Sequence, residues 1–157
     1  QQFDLVCAFE VLEHIEDDLA ALHEWIGFIS PGGHLLLSVP AFTARMGPHD
    51  ELAGHFRRYQ PDDLAQMLMR CGLVDVQLKV HGFPLGFALE NGRNLVASRK
   101  AIETESIESR TAGSGRYLQP DSHGAAFRFG TAPFRLMQRV GPQRGVGLTA
   151  SGRRPLE

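Results

Sequence analysis

Two apolar stretches constrain the fold of this chain more than anything else in it: Phe3-Asp4-Leu5-Val6-Cys7-Ala8-Phe9 and Leu35-Leu36-Leu37-Ser38-Val39. Both have strand length, and neither alternates polar with apolar residues, the pattern of strands covered on both faces. Between them Leu19, Leu22, Ile26 and Ile29 recur at spacings of three and four, with Trp25 beside them, which predicts a helix with one apolar face. Glu16, Asp17 and Asp18 stand in its first turn, where the helix dipole favours anions. Ser30-Pro31-Gly32-Gly33 is expected to end the helix, since proline cannot continue it and glycine accepts left-handed backbone angles. A strand, a crossover helix and a strand form a parallel βαβ unit.

The segment from Pro40 to Gln60 follows the carboxyl end of the second strand and is rich in His, Arg, Gly and aromatic residues. Ligands bind at that end of open α/β sheets. A further helix is predicted from Pro61, a favoured first position, with Asp62 and Asp63 in its first turn, Leu64, Met67 and Leu68 as its stripe and Gly72 as its stop. Val74, Val76, Leu78 and Val80 alternate with Asp75, Gln77 and Lys79, a strand with one wetter side near a sheet edge. Beyond it, Phe83 to Ile102 is weakly helical, Glu103 to Gly124 reads as flexible, and Phe127 to Val140 predicts a short helix. Gly145 to Ala150 predicts a last strand, ending at Arg153-Arg154-Pro155.

A chain of 157 residues with 43% hydrophobic content holds a real core. Its net charge of −2 conceals an asymmetry: residues 1–83 carry twelve acidic and five basic side chains, whereas the remainder is net positive. That balance disfavours a dedicated nucleic-acid binder and leaves room for an anionic small molecule or peripheral contact with a membrane. Two cysteines, Cys7 and Cys71, do not make a disulfide scaffold. With no apolar leader and no apolar run of spanning length, the expected compartment is the cytoplasm. The first strand begins two residues from the start without a preceding Met or βα unit, so the chain is expected to be the C-terminal part of a larger fold.

Phe3 to Val6 leading into Val11-Leu12-Glu13-His14-Ile15, then Pro31-Gly32-Gly33 before an apolar strand, resembles the C-terminal half of a class I S-adenosylmethionine-dependent methyltransferase. The resemblance covers residues 1 to about 83, with Gly145 to Pro155 similar to that family's closing strand. It implies a partial Rossmann-like, doubly wound α/β sheet: strands four to seven of seven, the last antiparallel. The implied division is a methyltransferase half-domain over residues 1–83, a helical and flexible insertion over 84–144, and the closing strand and tail over 145–157. It further implies that the glycine-rich turn and the acidic residue that bonds the ribose lie outside this chain. The complete domain would transfer a methyl group from S-adenosyl-L-methionine to a small-molecule acceptor, while this chain alone would bind the cofactor poorly and be inactive.

Within that resemblance Ala8, Phe9, Glu10 and Val11 lie against the cofactor. His14 and His55 are the candidate catalytic bases, useful where an acceptor must lose a proton. Arg57, Arg58 and Tyr59 are candidates for binding the acceptor, the arginines through a two-pronged contact with an acid group. The alternative is that they pin the loop by salt bridges with Asp50 or Asp62. Glu10, Glu13 and His14 equally fit a helix opening in which the carboxylates cap amides. Glu10 and His14, four apart, invite a metal reading, but no third ligand stands at suitable spacing, so no metal is expected. Arg128, Arg135 and Arg139 beside Phe127, Phe129 and Phe134 form either a helix that meets lipid or a solvated basic face, the second being favoured. Two rivals remain open. One is a non-catalytic half-domain that pairs with another chain, or with itself, through its first strand; the other is a different nucleotide-binding α/β enzyme.

Overall fold

The computed structural model describes residues 1–100, 136–139, 141 and 143–156; the segment Glu103 to Gly124 and most of Phe127 to Val140, with the arginines Arg128 and Arg135, lie outside these. Among the described residues four strands form one sheet: β1 (Phe3–Phe9), β2 (Ile29–Pro40), β3 (Val74–Gly82) and β4 (Gly145–Arg153). Among the described residues these are accompanied by the α-helices α1 (Asp18–Gly27), α2 (Pro48–Ala53), α3 (Pro61–Arg70) and α4 (Leu85–Lys100). The spatial order is β1-β2-β4-β3, with β1 parallel to β2 and β4 antiparallel to both of its neighbours. Chain order and space order therefore disagree at one place, where the last strand inserts between β2 and β3. This partial, doubly wound α/β sheet is the predicted architecture.

Leu35, Leu37 and Val39 of β2, with Leu148 and Ala150 of β4, face a core closed by Leu22 of α1 and by Leu64 and Leu68 of α3, all essentially inaccessible to water. Burying the seven Leu and Val side chains among these stabilises the fold by on the order of 10 kcal/mol before conformational entropy is subtracted. Asp17 caps α1, its carboxylate accepting from the Ala20 amide at 3.0 Å. The chain passes close to itself where β4 begins, and a Cβ at Gly145 would collide with the His81 carbonyl.

Two expectations need correction. The helix α1 ends at Gly27, so Ile29 belongs to β2, and Pro31-Gly32-Gly33 forms an irregularity within that strand. Gly32, at φ +81°, allows the detour, and the paired register resumes at Leu5 with His34. The apolar strand β1 is not covered on both faces: Val6 and Ala8 pack on the core, but Phe3, Leu5 and Phe9 are about half exposed on an edge strand. Among the described residues no helix lies over that outward face. The strand β3 forms the opposite edge, as its alternation predicts.

Candidate functional site

The carboxyl ends of the parallel pair β1 and β2 lead into two irregular segments that meet. From β1 the chain passes Glu10, at φ +53°, and enters a single 3-10 turn, Leu12–His14. From β2 it passes through a 3-10 turn, Thr43–Arg45, into α2 and then through Gly54–Gln60 into α3. The Phe56 amide donates to the Glu13 carbonyl at 2.8 Å, so the second segment is stitched onto the first. This places His55 beside His14, ring centroids 4.6 Å apart and nearly perpendicular.

The environments of these groups differ sharply. Leu12 anchors the 3-10 turn in the core, which carries Glu13 inward with it. Glu13 is fully buried, and among the described residues neither carboxylate oxygen has a hydrogen-bond partner. It therefore does not cap a helix. Burial pushes its carboxyl up to about 7, with the neighbouring Glu10 charge adding to the effect. Burial, and then the proximity of His55, lower the His14 pKa below its ordinary value, so its ring is neutral at pH 7. The His55 Nδ1 stands 2.9 Å from Asp50 Oδ1, so with Nδ1 as the donor to that carboxylate its Nε2 keeps a free lone pair.

Asp50 organises the loop. Its carboxylate accepts from the Gly47 amide at 2.8 Å and from Arg58 at 3.0 and 2.8 Å, in addition to His55. Burial alone would raise the Asp50 pKa, but the hydrogen bonds from His55, Arg58 and Gly47 outweigh it and hold the carboxyl at about 2. Arg58 also binds Glu90 of α4, which in turn holds Arg45, and Arg45 lies over the Phe87 ring at 4.1 Å. Both edges of the Arg58 guanidinium are thus occupied by buried carboxylates, the geometry of a loop pin rather than of an acceptor-binding fork. Tyr59 is buried as well, its hydroxyl donating to Asp18 at 3.0 Å. Arg57 reaches the same Asp18 at 2.7 Å and donates to the Glu16 carbonyl at 2.6 Å, with a third of its side chain exposed.

Along the other side of the turn, Phe9 and Val11 expose apolar surface, and Ala8 lies half-buried against the core. Ser38 donates to Glu10 Oε1 at 2.7 Å, which fixes that carboxylate over the end of β2. A separate shallow cleft of roughly 300 Å³ lies between α1 and α3, lined by Leu19, Asp63, Gln66, Met67 and Arg70, none of them a predicted site residue. Of the two salt-bridge partners the sequence offered for the arginines, Asp50 is the one that Arg58 meets, whereas Glu90 as its second partner and Glu13 as a buried acid were not foreseen. A carboxylate directly before a histidine after an apolar strand is the one local signal that could have flagged Glu13. Among the described residues no helix is long and apolar enough to cross a membrane.

A family model described as a methyltransferase domain matches residues 1–78. No curated protein matches the chain. Among solved structures, the fold is similar to Haemonchus contortus phosphoethanolamine N-methyltransferase 2, in a complex with S-adenosyl-L-methionine: TM-score 0.51, 14% identity, covering 98% of this chain and 33% of that one. It is similar to an S-adenosylmethionine-dependent methyltransferase from Thermotoga maritima, at TM-score 0.52 and 13% identity over 98% of this chain and 56% of that one. It is also similar to a Haloferax volcanii complex that contains the Trm112 methyltransferase activator, at TM-score 0.53 and 13% identity over 98% and 55%. The chain spans between a third and somewhat over half of the length of these structures.

Proposed function

Residues 1–78 belong to the methyltransferase domains of the class I, S-adenosylmethionine-dependent type, and from that premise we propose that the chain serves methyl transfer from S-adenosylmethionine to a small-molecule acceptor. One observation carries the reading: an exposed apolar pair, Phe9 and Val11, stands at the carboxyl end of β1, in the same turn that brings His14 against His55. That is the end of a parallel α/β sheet at which ligands bind.

The residues fit one side of such a cofactor. Phe9 and Val11 offer apolar surface for a nucleoside or aliphatic chain to cover, with Ala8 beneath them, and Glu10, oriented by Ser38, offers a carboxylate to hydroxyl or ammonium donors. When bound, the cofactor supplies a methyl group made electrophilic by its sulfonium. In-line displacement then depends chiefly on how the acceptor is held. His14, neutral at pH 7, and His55, oriented by Asp50, are the groups we assign to take a proton from an acceptor hydroxyl or amine. Of the two adjacent arginines only Arg57 has room to meet an acid group on that acceptor. Because the outward face of β1 is open, the chain alone holds the cofactor weakly.

Irradiating the chain with methyl-tritiated S-adenosylmethionine and mapping the labelled peptide tests this reading. Label on the peptide containing Ala8 to Val11, suppressed by excess S-adenosylhomocysteine, supports it. Label confined to the cleft lined by Leu19 and Met67 contradicts it.

A second reading has its own observation. Phe3, Leu5 and Phe9 are exposed along an edge strand, and a strand with free backbone groups and an apolar face recruits another strand. In this reading the chain is a methyltransferase-like half that functions by pairing through β1.

A further inference from the structure

Glu13, His14 and His55 offer one carboxylate oxygen and two imidazole nitrogens within 4.8 Å of one another. We propose that they form a site for a divalent first-row transition ion, zinc(II) or iron(II) in type, with a fourth position left for a small oxygen ligand. Two histidines and one carboxylate are the donor set of open, three-ligand sites for such ions.

Three features point to a ligand at this place. The first is Glu13, whose carboxylate is wholly buried with both oxygens unpartnered among the described residues. Proteins rarely strand such a group, and a cation is the partner that satisfies it best. The second is the Asp50 to His55 hydrogen bond at 2.9 Å. A carboxylate behind a metal-binding histidine fixes the tautomer, so the free ring nitrogen is the one that binds the ion. Asp50 is itself held by Arg58 and the Gly47 amide, so the orienting group is rigid. The third is access: Glu13 and His55 are buried or nearly so, but a third of the His14 side chain is exposed, which leaves an entry path.

The spacing requires a modest contraction. Ligand atoms around a tetrahedral ion with bonds of about 2.1 Å stand roughly 3.4 Å apart, whereas His14 Nε2 and Glu13 Oε1 are 4.0 Å apart without an ion. Closing that gap requires a small rotation of the His14 ring, a third of which is exposed. The site rests on this geometry and not on the methyl-transfer reading. The two do interact: with an ion bound, His14 and His55 are ligands and no longer proton acceptors.

The test is titration of the whole chain, after chelator treatment, with cobalt(II) followed by its visible ligand-field bands and with zinc(II) by calorimetry. One equivalent of each is expected to bind, with affinity falling at least tenfold in His14→Ala and in Glu13→Gln. His14 is partly exposed, so its substitution is expected to be tolerated by the fold, which circular dichroism verifies. Absence of stoichiometric binding overturns the proposal. So does binding that His14→Ala leaves unchanged and His23→Ala abolishes, which would place the ion at His23 and Cys71, whose atoms lie 3.9 Å apart.

Discussion

Replacing Arg58 with alanine is expected to cost stability before it costs anything else. The guanidinium bridges Asp50 and Glu90, both buried, and the substitution leaves two carboxylates in the interior with one partner fewer each. Removing one member of a buried ion pair typically costs about 3–5 kcal/mol, mostly as the penalty for the charge left behind. Asp50 retains His55 and the Gly47 amide, and Glu90 retains Arg45, so the lower end, about 3 kcal/mol, is expected. With a urea dependence of about 2 kcal/mol per molar, the unfolding midpoint falls by roughly 1.5 M. Equilibrium urea denaturation followed by circular dichroism measures it. Arg58→Lys, which keeps the charge but loses the fork, is expected to fall between the two. A midpoint within about 0.3 M of the parent, combined with weaker acceptor binding, would refute the structural reading and return Arg58 to the acceptor site.

Three other expectations follow from burial and charge. In chelator-treated protein, Glu13 is protonated more readily when folded than when unfolded, so its contribution is fully present below about pH 4.5 and lost as pH rises toward 7. Relative to Glu13→Gln, the parent chain is expected to lose on the order of 3 kcal/mol across that window, and thermal melts of both proteins at matched pH measure it; parallel curves would refute it. Cys7 is exposed, whereas Cys71 is buried with its thiol pushed up by burial and by Asp18, so iodoacetamide is expected to modify Cys7 first and Cys71 only on unfolding, as read by mass spectrometry. Leu5→Lys puts a charge on the exposed face of β1 and is expected to reduce self-association in light scattering with little change in melting temperature; unchanged association would locate the contact elsewhere.

Local features of the fold were legible in the sequence, and non-local ones were not. The βαβ unit, the proline-initiated α3, the alternating edge strand β3 and the late strand β4 each announce themselves within a dozen residues. Ile29 misled because a helical spacing continues through it, while α1 ends earlier at Gly27 and the Pro31-Gly32-Gly33 segment bends a strand instead of closing a helix. The Phe3–Phe9 run shows how apolar the strand is on both faces but not what covers it. Arg58 pairs with Glu90, 32 residues away on a weakly patterned helix, so spacing could not decide between a loop pin and a binding group. The same limit hid the grouping of Glu13, His14 and His55, which does not include the Glu10 paired with His14 by spacing. His55 reaches His14 only because the loop after β2 folds back and hydrogen-bonds to the 3-10 turn after β1.

If the carboxyl end of β1 is the cofactor side of a methyltransferase, S-adenosylhomocysteine must bind there. Amide proton–nitrogen correlation spectra of the chain, recorded during titration with S-adenosylhomocysteine to millimolar concentration, test this. Saturable shifts centred on residues 8–14 and Ser38, with weaker ones at His55, are expected. Shifts gathered instead around Leu19, Gln66 and Arg70, or none at all in a folded sample, would contradict it.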